Sequence, residues 1–279
     1  MSDFTVSKTT PAVAMSALAA ALLVVFPSAH AEPVSHNVVA SGWEHKTLQS
    51  HKSYNSLEAK RGGKISGKNV SVKGRAGNLV NANSGGEINL QNADIEASRA
   101  QHGHNTQQGP AVSATGDSGR GRHGRDSVVT LDGGKVTTYN SNSPALRASQ
   151  RGGEIHADGT KLHTYGSQSD VVQALDGGKV TLRRTEITSE GKRSDGVEVS
   201  GRGSSVTVDR SRISTRGESS DGVSVGSGGV AFIEKSGIQT NGRSADGVDV
   251  SGRGSFAAVD RSRILTRGED SDGVNVDNG

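Results

Sequence analysis

Asp195–Val225 reads DGVEVSGRGSSVTVDRSRISTRGESSDGVSV, and Asp246–Val276 reads DGVDVSGRGSFAAVDRSRILTRGEDSDGVNV. The two copies lie 51 residues apart and agree at 24 of 31 positions, so the likeness is a repeat. A half-period copy sits between them, since Gly229–Val248, GVAFIEKSGIQTNGRSADGV, follows the same outline. Self-similarity at 25 or 26 residues marks a solenoid, in which one structural turn is stacked on the next.

Three apolar ladders run through the repeat. One passes through Val72, Ile95, Val136, Leu162, Ile187, Ile213, Ile238 and Ile264. A second follows a Gly-Gly or Gly-Ser turn, at Ile65, Ile88, Val129, Ile155, Val180, Val206, Ala231 and Ala257. The third follows an SDG-like corner, at Val80, Val112, Leu146, Val172, Val197, Val223, Val248 and Val274. Within each segment the apolar residues alternate, which is the period of a strand. Three short strands per turn, separated by Gly, Asp, Asn and Ser, leave no length for a helix. Leucine-rich repeats have a similar period, but their LxxLxL run and asparagine ladder are missing. The pattern predicts an all-β chain, a right-handed parallel β-helix of about eight turns. Gly62-Gly63, Gly85-Gly86, Gly152-Gly153, Gly177-Gly178 and Gly228-Gly229 are expected at positive φ in its corners.

Residues 1–31 carry the marks of a secretory signal. Lys8 is followed by an apolar run from Ala12 to Phe26 and by Ala29-His30-Ala31, a small-x-small cleavage pattern. Residues 32–61, with the only tryptophan, Trp43, fall out of phase with the repeat and are expected to cap its first edge. Residues 62–279 are expected to form the β-helix, with an insertion around 98–126. The absence of cysteine excludes disulfide staples. A net charge of only +3 does not point to a general nucleic-acid role.

Candidate chemistry is sparse. Asp195, Asp221, Asp246 and Asp272 recur in the corner and could line up for calcium or a sugar, but an Asp-Gly corner also uses its carboxylate for a backbone hydrogen bond. Arg202, Arg210, Arg212, Arg253, Arg261 and Arg263 lie close in sequence and are expected to offset repulsion along such a line. The acids are repeat elements, whereas carbohydrate-cleaving β-helices concentrate theirs in one non-repeating groove. No catalytic residue, cofactor or metal site is assigned. The insertion, with Arg120, Arg122, His123 and Arg125, is the one candidate contact, suited to sulfated glycans or another polyanion.

Coils such as Gly177–Val199, GGKVTLRRTEITSEGKRSDGVEV, together with the signal and the lack of cysteine, resemble the passenger domains of pertactin-family autotransporters, adhesins and virulence factors of Gram-negative bacteria. The likeness covers Gly62–Gly279. It implies a non-catalytic protein, exported through the inner membrane to the cell surface, the outer membrane or the medium, that contacts host cell-surface or serum proteins and glycans. It also implies a C-terminal outer-membrane β-barrel as translocator. No series of alternating ten-residue strands follows the coils. A passenger left in the periplasm, or a truncated and nonfunctional remnant, is the corresponding expectation. A secreted polysaccharide lyase or hydrolase on the same fold is the alternative from another class. The family shares no binding motif, so the resemblance carries over no ligand residues.

Overall fold

The computed structural model describes residues 36–75, 77–98, 108–117 and 126–278, all within one compact unit, Ser35–Gly279. Among these residues every regular element is a strand, and every pairing is parallel between one coil and the next. The strands build three sheets of ten, nine and nine, which are the three faces of a β-helix. The first face runs from Asn37–Ser41 to Val274–Asp277, and the second from His45–Thr47 to Phe256–Asp260. The third runs from Ser53–Tyr54 to Arg263–Thr266.

The three apolar ladders are the register of these sheets. Ile187 pairs with Ile213, and Ile213 with Ile238, in one interior column, and all three are buried. Val197, Val223 and Val248 stack likewise on the first face, and Val180, Val206 and Ala231 on the second. Alternation therefore does what the strand period requires, sending one residue in and the next out. Along Val197–Ser200, Val197 and Val199 are buried while Glu198 and Ser200 face outward. No single coil has a core of its own, so its inward side chains are closed off by those of the coils above and below.

Two sequence readings need correction. Residues 37–60 are in phase with the helix. Asn37–Ser41 pairs with Ser56–Lys60, which pairs in turn with Val80–Asn83, and Ser53–Tyr54 pairs under Ser71–Gly74. Ala40, Leu57 and Ala59 continue the interior column with small or single apolar residues, so the pattern was diluted but not shifted. The paired glycines also divide their roles. Gly177 takes a φ of +96°, which a side chain disfavours. Its neighbour Gly178 does not. A Cβ there would strike the Ala148 carbonyl of the coil below. The same split holds for Gly62 with Gly63 and for Gly85 with Gly86, so the second glycine is a matter of stacking distance.

The corners are stitched by buried hydroxyls that join one coil to the next. Before the first face, the amide of Ser169 donates to Ser194 Oγ at 3.0 Å, and the amide of Ser194 donates to Ser220 Oγ at 2.9 Å. Each hydroxyl also donates to a corner carbonyl, as Ser194 Oγ does to Gly166 O at 3.1 Å. Before the third face, Thr185, Ser211, Ser236 and Ser262 repeat the device at 2.9–3.0 Å. The hydrogen bonds meet the requirement that buried polar groups be partnered.

Ala245 interrupts the first of these ladders, fully buried where Ser194, Ser220 and Ser271 carry a hydroxyl. Ala245→Ser should raise stability by about 1 kcal/mol, because the new hydroxyl would accept from the Ser220 amide at no loss of packing. A urea midpoint equal to or below the parent's would show that this corner has no room for the bond.

Candidate functional site

Arg120, Arg122, His123 and Arg125, the residues assigned from the sequence to a polyanion contact, lie outside the described residues. The structure does resolve the setting of that insertion. Val112–Thr115 is a regular strand of the first face, paired with Val80–Asn83 below and Leu146–Ser149 above. The extra residues therefore fall on both sides of an intact rung. One stretch, 98–111, leads from the third face to the first, and the other, 116–126, leads from the first to the second. Normal coils make the same crossings with 165–171 and 176–178.

The corner aspartates form one continuous ladder. The amide of Asp195 donates to Asp170 Oδ1 at 2.7 Å, and that of Asp221 to Asp195 Oδ1 at 2.8 Å. The amides of Asp246 and Asp272 extend the series at 2.7 Å each, onto Asp221 and Asp246. Each carboxylate thus accepts a backbone hydrogen bond from the coil above, a variant of the Asx corner spread over two turns. The arginines do not neutralise this line as expected from the sequence. Arg210 pairs with Asp209 at 3.1 Å, and Arg261 with Asp260 at 2.8 Å and Glu234 at 2.7 Å, all at the far corner. Two of the ladder carboxyls are instead raised above their ordinary range. Burial, with Asp170 and Asp221 as neighbours, holds the Asp195 carboxyl well above the usual carboxylate range. Burial lifts Asp221 to about 6 against its backbone hydrogen bond.

One place on the first face departs from simple repetition. Arg147, Gln173 and Glu198 are in register on three successive coils, facing outward. Arg147 Nε donates to Gln173 Oε1 at 2.7 Å, and Gln173 Nε2 donates to both Asp170 Oδ2 at 2.8 Å and Glu198 Oε2 at 2.7 Å. Burial and the adjoining Asp170 carboxylate push Glu198 up to about 7. Nothing in the sequence announced this cluster, because its members occupy variable outward positions. Arginine, glutamine and glutamate in one column were the available signal.

The aromatic residues make a different use of the stack. Tyr139 and Tyr165 lie parallel with ring centroids 4.9 Å apart, and His163 stacks on Tyr165 at 4.1 Å. Burial lowers the His163 pKa, with Glu190 opposing it. Faces engaged with one another in this way are not free platforms for a sugar ring. Among the described residues no group of three or more histidines, cysteines or acids is arranged to hold a metal ion.

A family model described as a right handed beta helix region matches residues 151–279. No curated protein and no solved structure matches the chain. The matched span coincides with the coils of cleanest phase, where the interior columns and hydroxyl ladders described above run together. Fold and family model agree that this is a parallel β-helix protein.

Proposed function

We propose that the chain is a non-catalytic passenger of the autotransporter type, an exported shaft whose outward side chains contact host cell-surface or serum molecules. The observation that carries this reading is the use made of the recurring acids. Asp170, Asp195, Asp221 and Asp246 are committed to the backbone of the coil above, so the corner that looks chemically richest in the sequence is structural. The variable residues point outward on a rigid scaffold, which is the usual division of labour between fold and contact. The test is antibody raised against residues 36–278, applied to intact cells of a Gram-negative host expressing the full reading frame. Labelling of intact cells is expected. Labelling only after the outer membrane is permeabilised would leave the shaft in the periplasm and overturn the surface role.

The secreted polysaccharide lyase or hydrolase has one cluster in its favour. Glu198, with a pKa of about 7 beside Asp170 and within the Gln173–Arg147 network, has the raised carboxyl that acid–base catalysis uses. Incubating the purified chain with polygalacturonate and with glycosaminoglycan decides between the readings. Release of unsaturated or reducing ends that Glu198→Gln abolishes would establish the enzyme. Intact polymer is expected.

A further inference from the structure

The outer surface of the third face changes character along the shaft. Near Tyr139 and Tyr165 it is aromatic, and one coil on it carries Glu186 and Glu190. Beyond them it is basic and open. Arg212, Gly237 and Arg263 are in register on three successive coils, so two guanidiniums stand in one column with nothing between them. Two strand spacings put their backbones roughly 9.6 Å apart. A Cβ built on Gly237 meets no atom within 4 Å, so the gap is solvent. With Ser214, Gln239 and Arg267 it forms an open groove of about 510 Å³, bordered on the preceding coil by Glu186, which pairs with Lys161 at 3.4 Å.

Three of the arginines in this groove are unspent. At the neighbouring corner Arg184 pairs with Asp158 at 2.5 Å, Arg210 with Asp209 at 3.1 Å and Lys235 with Glu234 at 2.6 Å. Arg216, on the rim, pairs with Glu190. Among the described residues no hydrogen bond or ion pair engages the side chains of Arg212, Arg263 or Arg267, and all three are exposed. The arrangement follows from the sequence. The 51-residue unit spans two coils, so its RSRI segment places arginine on every second coil and glycine on the coil between.

We propose that this surface binds a linear sulfated polysaccharide, with Arg212, Arg263 and Arg267 taking sulfate groups and the Gly237 slot seating the sugar between them. A guanidinium offers paired donors to an oxyanion, which a point charge does not. Two coils match roughly the rise of one disaccharide in an extended chain, so the arginines recur at the interval at which such a polymer repeats its anions. Ser214 and Gln239 line the slot with groups that hydrogen-bond sugar hydroxyls. A single-stranded nucleic acid fits less well, because it is held by open aromatic platforms along a continuous basic track. Here the rings stack on each other, one coil before the acids. The proposal deepens the exported-passenger reading and rests on it only for where the glycan would be met.

Retention of the purified full chain on immobilised heparin tests this, with chemically desulfated heparin and oligo-dT as parallel matrices. Heparin should retain the chain in a salt-sensitive way, and desulfated heparin should not. The triple variant Arg212→Ala, Arg263→Ala, Arg267→Ala should weaken binding about tenfold, the scale of three exposed charged contacts. Gly237→Glu, which fills the slot and sets a carboxylate between the two guanidiniums, should weaken retention at least as much as the triple variant. Gly237 faces open solvent in a strand whose two neighbours carry Arg212 and Arg263, and unchanged far-UV dichroism would verify folding. Wild-type retention by the triple variant overturns the proposal, including the case in which Arg120→Ala, Arg122→Ala, Arg125→Ala alone abolishes binding. Equal retention on oligo-dT or on the desulfated matrix overturns it too. Because the measurement uses purified protein, its failure is separate from failure of the cell-surface labelling.

Discussion

Gly222→Ala should destabilise the protein by about 3 kcal/mol, the upper part of the range for forced overpacking in a well-filled interior. The reason is not backbone freedom, since Gly222 does not have a positive φ. A Cβ at this position would stand 2.3 Å from the Cγ2 methyl of Ile238 and 2.5 Å from the carbonyl oxygen of Gly247. Gly196 meets Ile213 and the Gly222 carbonyl in the same way, and Gly247 meets Ile264 and the Gly273 carbonyl. Gly196, Gly222 and Gly247 are therefore seats into which isoleucines of the interior column lock. Relief by mutation of the partner is not expected. Ile238→Ala would remove the methyl but leave the carbonyl, and would add a cavity cost of its own. Gly237→Ala provides the contrast within the same coil, because open space surrounds it, and its urea midpoint should stay within about 0.5 kcal/mol of the parent. A Gly222→Ala protein as stable as Gly237→Ala would mean the coils slide apart easily and the interlock does not exist.

That interlock marks the limit of what the chain discloses by pattern. The interior columns were legible from Ile65 onward, because apolar alternation at a fixed period has one solution. Ile65, Ile88 and Val129 could be aligned by counting and are aligned in space. The corners were legible only as places where Gly, Ser and Asp recur. Gly177 and Gly178 look equivalent in a sequence, yet one answers to φ and the other to the carbonyl of another coil. Likewise the serine of SDG and the serine of RSRI look like ordinary turn residues. Their partners lie 25 or 26 residues away, so local turn chemistry does not reveal the ladders. The first coil was missed for a related reason. Leu57 and Ala59 supply its column, but Trp43 and the polar residues around it carry no repeat signature, and register there is imposed by Val80 and Ala82 above. The Glu198 cluster depends on which outward side chains share a column, and that follows only once the register is known.

The protein should be more stable at pH 5 than at pH 8, contrary to the common case in which paired carboxylates make acid the destabilising direction. Glu198 titrates near 7 in the folded state, against an ordinary value near 4.5, because burial and the Asp170 carboxylate disfavour its charge. Asp221, at about 6, and Asp195, raised by burial and by its two ladder neighbours, act in the same direction. Groups of this kind bind protons more tightly folded than unfolded. Their contribution is complete below the unfolded pKa and is lost as pH rises through the folded value, a window from about 4.5 to 7. For Glu198 alone the difference is worth about 2–3 kcal/mol after allowance for its partial exposure. His163 works against this trend. Burial depresses its pKa, so its contribution falls as pH drops through the same region. Glu58 and Glu87, lowered by hydrogen bonds to Lys60 and Lys64, matter only in more acidic solution. Glu198→Gln separates these effects. The amide keeps the volume and can accept from Gln173, while it removes the titrating carboxyl that faces Asp170, Asp195 and Arg147. Its urea midpoint should exceed that of the parent at pH 8, and its profile between pH 5 and 8 should be flatter. A parent whose stability is flat or rising across that interval, or a variant with an unchanged profile, would show that these carboxylates stay ionised in the ladder. The line of aspartates would then have to be held together by attraction from elsewhere, and the corner would need a counter-charge that Arg210 and Arg261, paired at the far edge, do not provide.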